Sequence, residues 1–302
     1  MTQSWTGASL ASRFKHRFIY ALIFVGGRFL AYLFLYPLVL VYTLYPSIRA
    51  KSRVYIQKRF APKNAWQAFK HAYKLNLTFA RTLTDRAALG ILGRADIVSS
   101  KEDRALCQRL ADQHQGVIML TAHCGCWQQA AASIDFFKAH KYIVYYHSPK
   151  DNDKMVHEHR AQKAPFTFIN PASGFGGVVE MMAALRHGGV LCAMGDRTFG
   201  APGNSVPVQF LGQTAYLPYS FYRLAACTGA PVAVMFFPWL GGGRFGAEIA
   251  GVFTVPERGP AKQQYQEFAQ KFADALEAFC VKYPYQFFNY YNFWETNESC
   301  KP

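Results

Sequence analysis

Val117-Ile-Met-Leu-Thr-Ala-His123-Cys-Gly-Cys-Trp-Gln128 is the stretch on which the reading of this chain turns. An apolar run suited to a buried strand delivers a histidine into a short turn containing Gly125, and a helix starts from that turn. Open α/β sheets gather reactive groups at the carboxyl ends of strands, because loops and helix N-termini converge there. An imidazole with an ordinary pKa of about 6.5 can take a proton from an attacking alcohol or amine. The turn at Gly125 is expected to aim backbone N–H groups and a helix dipole at a developing oxyanion. Taken alone, the segment is equally consistent with a histidine that only caps the strand end.

Outward from this segment, strand-like runs at 116–122, 142–146, 166–169, 189–194 and 231–237 alternate with helix-like stretches at 126–139, 153–162, 175–187 and 218–228. Strand and helix in alternation predict an α/β fold with a mostly parallel central sheet flanked by helices. A long amphipathic helix is expected over 64–89, where Trp66, Phe69, Tyr73, Leu77 and Ala80 recur every three or four residues. A last helix, about 261–282, leads into an aromatic tail, Tyr283-Pro-Tyr-Gln-Phe-Phe-Asn-Tyr-Tyr-Asn-Phe-Trp294.

Composition adds a membrane. Hydrophobic residues make up 51% of the 302 and charged residues only 17%, more apolar than an ordinary soluble globule. Residues 18–45 are overwhelmingly apolar, broken by Gly26, Gly27 and Arg28, and the 17 residues from Phe29 to Tyr45 carry no charge. That length is at the short end for spanning a bilayer, so crossing it and lying in its interface are both open. Arg13, Lys15 and Arg17 precede the segment and Arg49, Lys51, Arg53, Lys58 and Arg59 follow it, so charge asymmetry does not orient it. A signal peptide would share the basic-then-apolar order, but no small-residue cleavage site follows. The expected organisation is therefore an N-terminal membrane-anchoring helical segment, 1–60, and a catalytic α/β domain, 61–302.

The formal charge of +15 favours an anionic partner. A nucleic-acid surface would concentrate its basic residues in a stripe with interleaved aromatics. Here they are spread along the chain and come closest to a cluster beside the apolar segment, which favours anionic lipid. The seven cysteines are odd in number and irregularly spaced, the pattern of reduced thiols in a cytoplasm.

Several further groups could carry chemistry. Gly195-Asp196-Arg197-Thr-Phe-Gly200 closes another apolar strand, and its arginine could hold a phosphate or carboxylate, unless Asp196 simply pairs with a nearby arginine. Val206-Pro-Val-Gln-Phe210-Leu-Gly212-Gln-Thr-Ala-Tyr-Leu-Pro218 could wall a slot for an acyl chain or serve only as core. Cys124 and Cys126 lack the companions of a zinc site, so no metal is expected, while Cys124 beside His123 is an alternative nucleophile. His147, His157 and His159 fall in a polar stretch that reads as a solvated loop.

In this order the blocks resemble the lysophospholipid acyltransferase superfamily, and within it the bacterial branch of late lipid A acyltransferases. That branch opens with His-x-x-x-x-Asp/Glu after a strand, matched by His123 with Gln128 in the acidic place. Its later blocks are similar to Phe166-Thr-Phe-Ile-Asn170, Gly195-Asp-Arg197, Phe210-Leu-Gly212 and Thr228-Gly-Ala-Pro-Val232. The aromatic tail, with Ser4-Trp5 and Gly7-Ala-Ser9, looks like a predicted acyltransferase subgroup that accompanies aryl polyene-type lipid biosynthesis.

The resemblance implies transfer of a fatty acyl group from an acyl carrier protein or coenzyme A thioester to a hydroxyl or amine of a lipid or lipid precursor. It places the protein at the cytoplasmic face of a bacterial inner membrane and requires no cofactor beyond the thioester. His123 would be the general base, with Gln128 as its partner, and Gly125, Trp127, Asp196, Arg197, Phe210 and Gly212 would face substrate. A neutral amide supports an imidazolium less well than a carboxylate does. An acyl- or carrier-binding accessory subunit is therefore the alternative, as is help for His123 from a carboxylate elsewhere, such as Asp196.

Overall fold

The computed structural model describes residues 13–92, 96–113, 115–128, 138–145, 166–197, 203–290 and 294. Three helices come first: α1 (Arg13–Leu44), α2 (Pro46–Phe60) and α3 (Ala65–Leu92). Then follow β1 (Asp96–Val98), α4 (Lys101–Asp112), β2 (Val117–Thr121), β3 (Lys141–Val144), β4 (Phe166–Ile169), α5 (Val178–Arg186) and β5 (Val190–Met194). The remainder comprises β6 (Ser205–Phe210), β7 (Gln213–Pro218), α6 (Ser220–Thr228), β8 (Val232–Phe236), β9 (Trp239–Gly241), β10 (Arg244–Gly246), β11 (Glu248–Phe253) and α7 (Gln266–Lys282). The expected strands at 116–122, 142–146, 166–169, 189–194 and 231–237 correspond to β2, β3, β4, β5 and β8. The helix expected at 153–162, most of that expected at 126–139, and His147, His157 and His159 lie outside the described residues.

The fold is mixed α/β. A six-stranded sheet runs β11-β8-β2-β5-β3-β4, with β2 between β8 and β5. Its β2–β5, β2–β8, β3–β5 and β3–β4 pairs are parallel and β8–β11 is antiparallel. A three-stranded sheet, β1-β10-β9, and the antiparallel β6–β7 pair complete the described strands. The sheets are mixed rather than parallel throughout: four of the five pairings in the central sheet are parallel, whereas β8–β11, β9–β10 and β6–β7 are antiparallel, pairings that alternating strand and helix did not predict. Parallel neighbours need a crossover of a dozen or more residues, usually helical, and the chain between β8 and β11 holds only β9 and β10. The stretch from Val206 to Pro218, expected to wall an acyl slot or serve as core, is a tight hairpin. Its two turn residues, Leu211 and Gly212, both have positive φ, the backbone that matches the twist of paired strands.

Both faces of the central sheet are covered. Ile118 and Leu120 of β2, Leu191 and Ala193 of β5, and Val232, Val234 and Phe236 of β8 face the side of α5, α6 and α7. Val117, Met119, Val190, Cys192, Ala233 and Met235 face the side of α4 and β10. Burial on two sides explains why these strands read as continuous apolar runs rather than as alternation. The six described cysteines are free thiols.

The N-terminal helices pack lengthwise. Gly26 and Gly27 interrupt the helical dihedrals of α1, and Gly27 at φ 63° and ψ −160° occupies backbone space open essentially to glycine alone. Beyond this kink, Ala31, Leu35, Val39 and Thr43, spaced by four, form the one buried stripe of the helix. That stripe lies on α3, where Leu77 and Ala88 meet it. Arg49 donates to the carbonyls of Thr43 and Leu44 at 2.8 and 2.7 Å, a cation capping the C-terminus of α1.

Asp85 of α3 fixes this layer to the α/β body. It is 2% exposed and accepts hydrogen bonds from the Tyr32 hydroxyl (2.7 Å), the Trp239 indole (2.7 Å) and the Gly243 amide (3.1 Å), with Arg28 Nε at 3.3 Å. A buried carboxylate is tolerated because its oxygens are this fully engaged.

Candidate active site

The histidine of the opening stretch emerges beside an aspartate because of strand register. β2 and β5 pair in parallel with Thr121 opposite Met194, and the Gly195 amide donates to the Thr121 carbonyl at 2.8 Å. Two residues past each of these partners stand His123 and Asp196. The Nδ1–H of His123 reaches both oxygens of Asp196 at 3.0 Å, and the His123 backbone N–H donates to Oδ2 at 3.1 Å. Asp196 is fully buried, whereas the His123 side chain keeps 16% of its surface. The carboxylate thus selects the tautomer that leaves Nε2 bare, and among the described residues nothing hydrogen-bonds that nitrogen.

Electrostatics keep this imidazole a free base. Burial lowers the His123 pKa; the Asp196 charge and hydrogen bond pull it back up, Arg197 opposes them, and the balance lies below the ordinary value. For Asp196 burial pushes upward. The charge and hydrogen bonds of His123, together with Arg197, outweigh it and hold the carboxyl below its usual range. At neutral pH the pair is therefore carboxylate and neutral imidazole.

Gln128 is half-buried, and among the described residues it makes no hydrogen bond to His123. The partner expected five positions along the chain is replaced by one 73 positions away. The oxyanion reading is narrowed to the helix start at Trp127 and Gln128, because the turn amides from His123 to Cys126 are already engaged. Besides the His123 amide on Asp196, Cys124 N–H donates to the Ala122 carbonyl (2.7 Å), Gly125 to Gln286 (2.8 Å) and Cys126 to Phe237 (2.6 Å). Gly125 is held at φ +54°, and a Cβ there would fall 2.1 Å from the Phe237 carbonyl oxygen. The glycine serves close packing of two backbones rather than substrate.

Cys124 is fully buried and bridges Phe287 through its backbone. Burial pushes its thiol far above the ordinary value, so the thiolate that a nucleophile requires is suppressed. Phe210 is also fully buried, with its ring 5.8 Å from those of Phe287 and Trp294, so its surface is spent on core contacts. Gly212, at the hairpin tip, rims an open surface cleft of mixed lining, with Gln209, Asp274, Glu277 and Lys282 beside Ala278 and Val281, and the described contacts do not connect this cleft to His123. Thr198, Phe199 and Gly200 lie outside the described residues.

Trp127 does stand beside the histidine, its ring 5.5 Å from the imidazole. It stacks on Phe79 of α3 at 6.3 Å and 5°, and Phe288 lies 6.0 Å away and 4.9 Å from Phe79. These rings make an apolar wall next to a half-open imidazole. The aromatic tail behind this wall does work that spacing alone did not reveal. Phe288 N–H donates to the His123 carbonyl at 2.8 Å, and the Gln286 side chain pairs with both backbone groups of Trp239. A run of bulky residues after the last helix was the only sequence signal for this clamp.

A histidine oriented by a buried carboxylate, with a bare nitrogen and an apolar wall, can take a proton from a hydroxyl or amine. No curated protein matches the chain. The profile of the bacterial lipid A biosynthesis acyltransferases matches residues 95–296, well over half of the sequence and the part that holds β2, β5 and the aromatic tail, and the chain belongs to that acyltransferase family.

Proposed function

We propose that this acyltransferase moves a fatty acyl group from an acyl carrier protein or coenzyme A thioester to a hydroxyl or amine of a lipid or lipid precursor. His123 is the general base in this reading, and Asp196 orients it. The observation that carries the reading is the bond from His123 Nδ1 to the fully buried Asp196, which leaves Nε2 bare. Nε2 takes the proton of the acceptor as its oxygen or nitrogen attacks the thioester carbonyl. Collapse of the tetrahedral intermediate breaks the C–S bond, and the imidazolium returns the proton to the departing thiolate. No acyl-enzyme and no cofactor beyond the thioester is required. The bond from His123 to Asp196 speaks against the accessory-subunit alternative, which rested on Gln128 standing in place of the family carboxylate.

In the same reading residues 1–60 anchor the protein at the cytoplasmic face of a bacterial inner membrane, and 61–302 form the catalytic domain. The net charge of +15 suits acidic carrier protein and anionic lipid alike. Trp127 is a substrate-facing group with its ring 5.5 Å from the imidazole, Arg197 adds positive charge that acts on it, and Phe210 serves the fold. The test is mass spectrometry of membrane lipids from cells with the intact gene, without it, and with His123→Ala. An acylated lipid present only with the intact gene supports the reading; the same lipid in the His123→Ala strain overturns the assignment of the base.

A further inference from the structure

Beyond Arg28, α1 is apolar on every side, yet its buried residues there are confined to the stripe Ala31, Leu35, Val39 and Thr43. Phe24, Val25 and Phe29 at the kink are 81%, 80% and 79% exposed, and Leu33, Leu40 and Leu44 continue the bare surface. So large an apolar surface calls for an occupant. By length and composition Ile19–Leu44 could cross a bilayer. From its docking we infer that α1 instead lies in the plane of one leaflet, at the boundary of headgroups and acyl chains, with α3 behind it. This placement rests on the membrane-associated acyltransferase reading above.

The docking runs along the helix rather than at one end of it. Asn76 of α3 donates to Thr43 at 3.1 Å, Arg81 to the Tyr36 hydroxyl, and Asp85 accepts from Tyr32 at 2.7 Å. Arg81 and Asp85 are charged, and the opposite face of α3 sends Leu75 and Phe79 into the catalytic core. Were α1 to cross the bilayer in this arrangement, a charged helix and the domain behind it would be carried to hydrocarbon depth. Detaching α1 first would strip Asp85 of Tyr32 and Arg28. In the plane of the leaflet, α3 supplies the polar side that α1 lacks, and the two helices together form one amphipathic unit.

The kink gives the second argument. Its non-helical dihedrals at Gly26 and Gly27 free backbone groups beside exposed Phe24, Val25 and Phe29. Hydrocarbon leaves such groups unsatisfied, whereas water at the headgroup level does not. The rim gives a third. Tyr45 and Trp66 are exposed, Lys70 lies over the Trp66 ring and Arg49 over Phe69, the aromatic and basic pairing that suits an anionic interface. The site follows the anchor, because Phe79 of α3 stacks on Trp127 beside His123. An acceptor in the same leaflet would thus approach the imidazole without leaving the membrane surface.

The test uses the full chain with an epitope tag at each end, expressed in bacteria and probed with protease in spheroplasts and in inverted inner-membrane vesicles. Both tags should survive in spheroplasts and both be cleaved in inverted vesicles. Tags on opposite sides mean that α1 crosses, which overturns this placement and leaves the acyltransferase reading intact. Recovery in the soluble fraction overturns the membrane reading as well. A re-entrant hairpin would also keep both tags on one side, so spin labels at Phe29→Cys and Leu44→Cys, in a Cys227→Ser, Cys300→Ser background, report depth. Equal, shallow depths are expected, and a gradient between them overturns the in-plane geometry.

Discussion

His123 and Asp196 are 73 residues apart and share two close oxygen contacts at 3.0 Å because Thr121 and Met194 face each other across parallel strands. The pair gives the imidazole both an orienting acceptor and a counter-charge, which the neutral amide of Gln128 could supply only in part.

Asp196→Asn should therefore cut kcat/KM by roughly 10³- to 10⁴-fold, in line with the effect of losing the orienting carboxylate in a serine-protease triad. The pH profile provides a second readout. In the proposed mechanism His123 works as the neutral base, and its pKa is lowered, so wild-type kcat/KM should fall only as pH drops through a value below 6.5. The Asp196 charge raises that pKa, so its removal should move the acid limb to still lower pH. A limb that stays in place would mean that Asp196 acts only on the fold.

Gln128→Glu and Gln128→Ala test the opposite assignment. Neither replaces a group bonded to the imidazole, so each should leave kcat/KM within about threefold of wild type, about 0.65 kcal/mol of transition-state stabilisation. A large gain with glutamate would show that the amide does orient His123 during turnover.

Cys124→Ala should retain most of the activity, with a stability loss of about 1 kcal/mol for one small buried group. The thiol is buried and held protonated, so iodoacetamide should modify exposed Cys227 long before Cys124 in the folded protein. Rapid inactivation that tracks labelling of Cys124 would restore the nucleophile reading.

Gly125→Ala places a Cβ 2.1 Å from the Phe237 carbonyl oxygen on a backbone at φ +54°. The strain should cost at least about 2 kcal/mol, visible as a lower melting temperature, and should displace His123 enough to reduce activity. Gly212→Ala, at a position with nothing within 4 Å, is the control for positive φ alone and should be milder.

Carrier-dependent turnover should slow between low and high salt, since a protein of net charge +15 steers an acidic carrier over distances that salt screens. Assays at 0.05 and 0.5 M salt with the same acyl chain on carrier protein would show it. A rate indifferent to salt would exclude charge steering.

The sequence by itself determined the strand that carries His123, the strands β2, β3, β4, β5 and β8 of the central sheet, the long helix α3, the interruption of the apolar segment at Gly26 and Gly27, and the family to which these blocks belong. Each of these follows from local periodicity, glycine chemistry or the order of short blocks. Tertiary structure decided the rest. Gln128 lay at the familiar spacing, but spacing does not say where a side chain goes, and Asp196 became the partner through the register of β2 and β5. The amides of the His123 turn looked available until Gln286 and Phe237, distant in sequence, were found accepting from them. Apolar composition likewise did not say what α1 packs on; its lengthwise docking on α3, tied at Asp85, is a tertiary property. Register, burial and long-range pairing are properties of two segments at once, and no single stretch of sequence contains them.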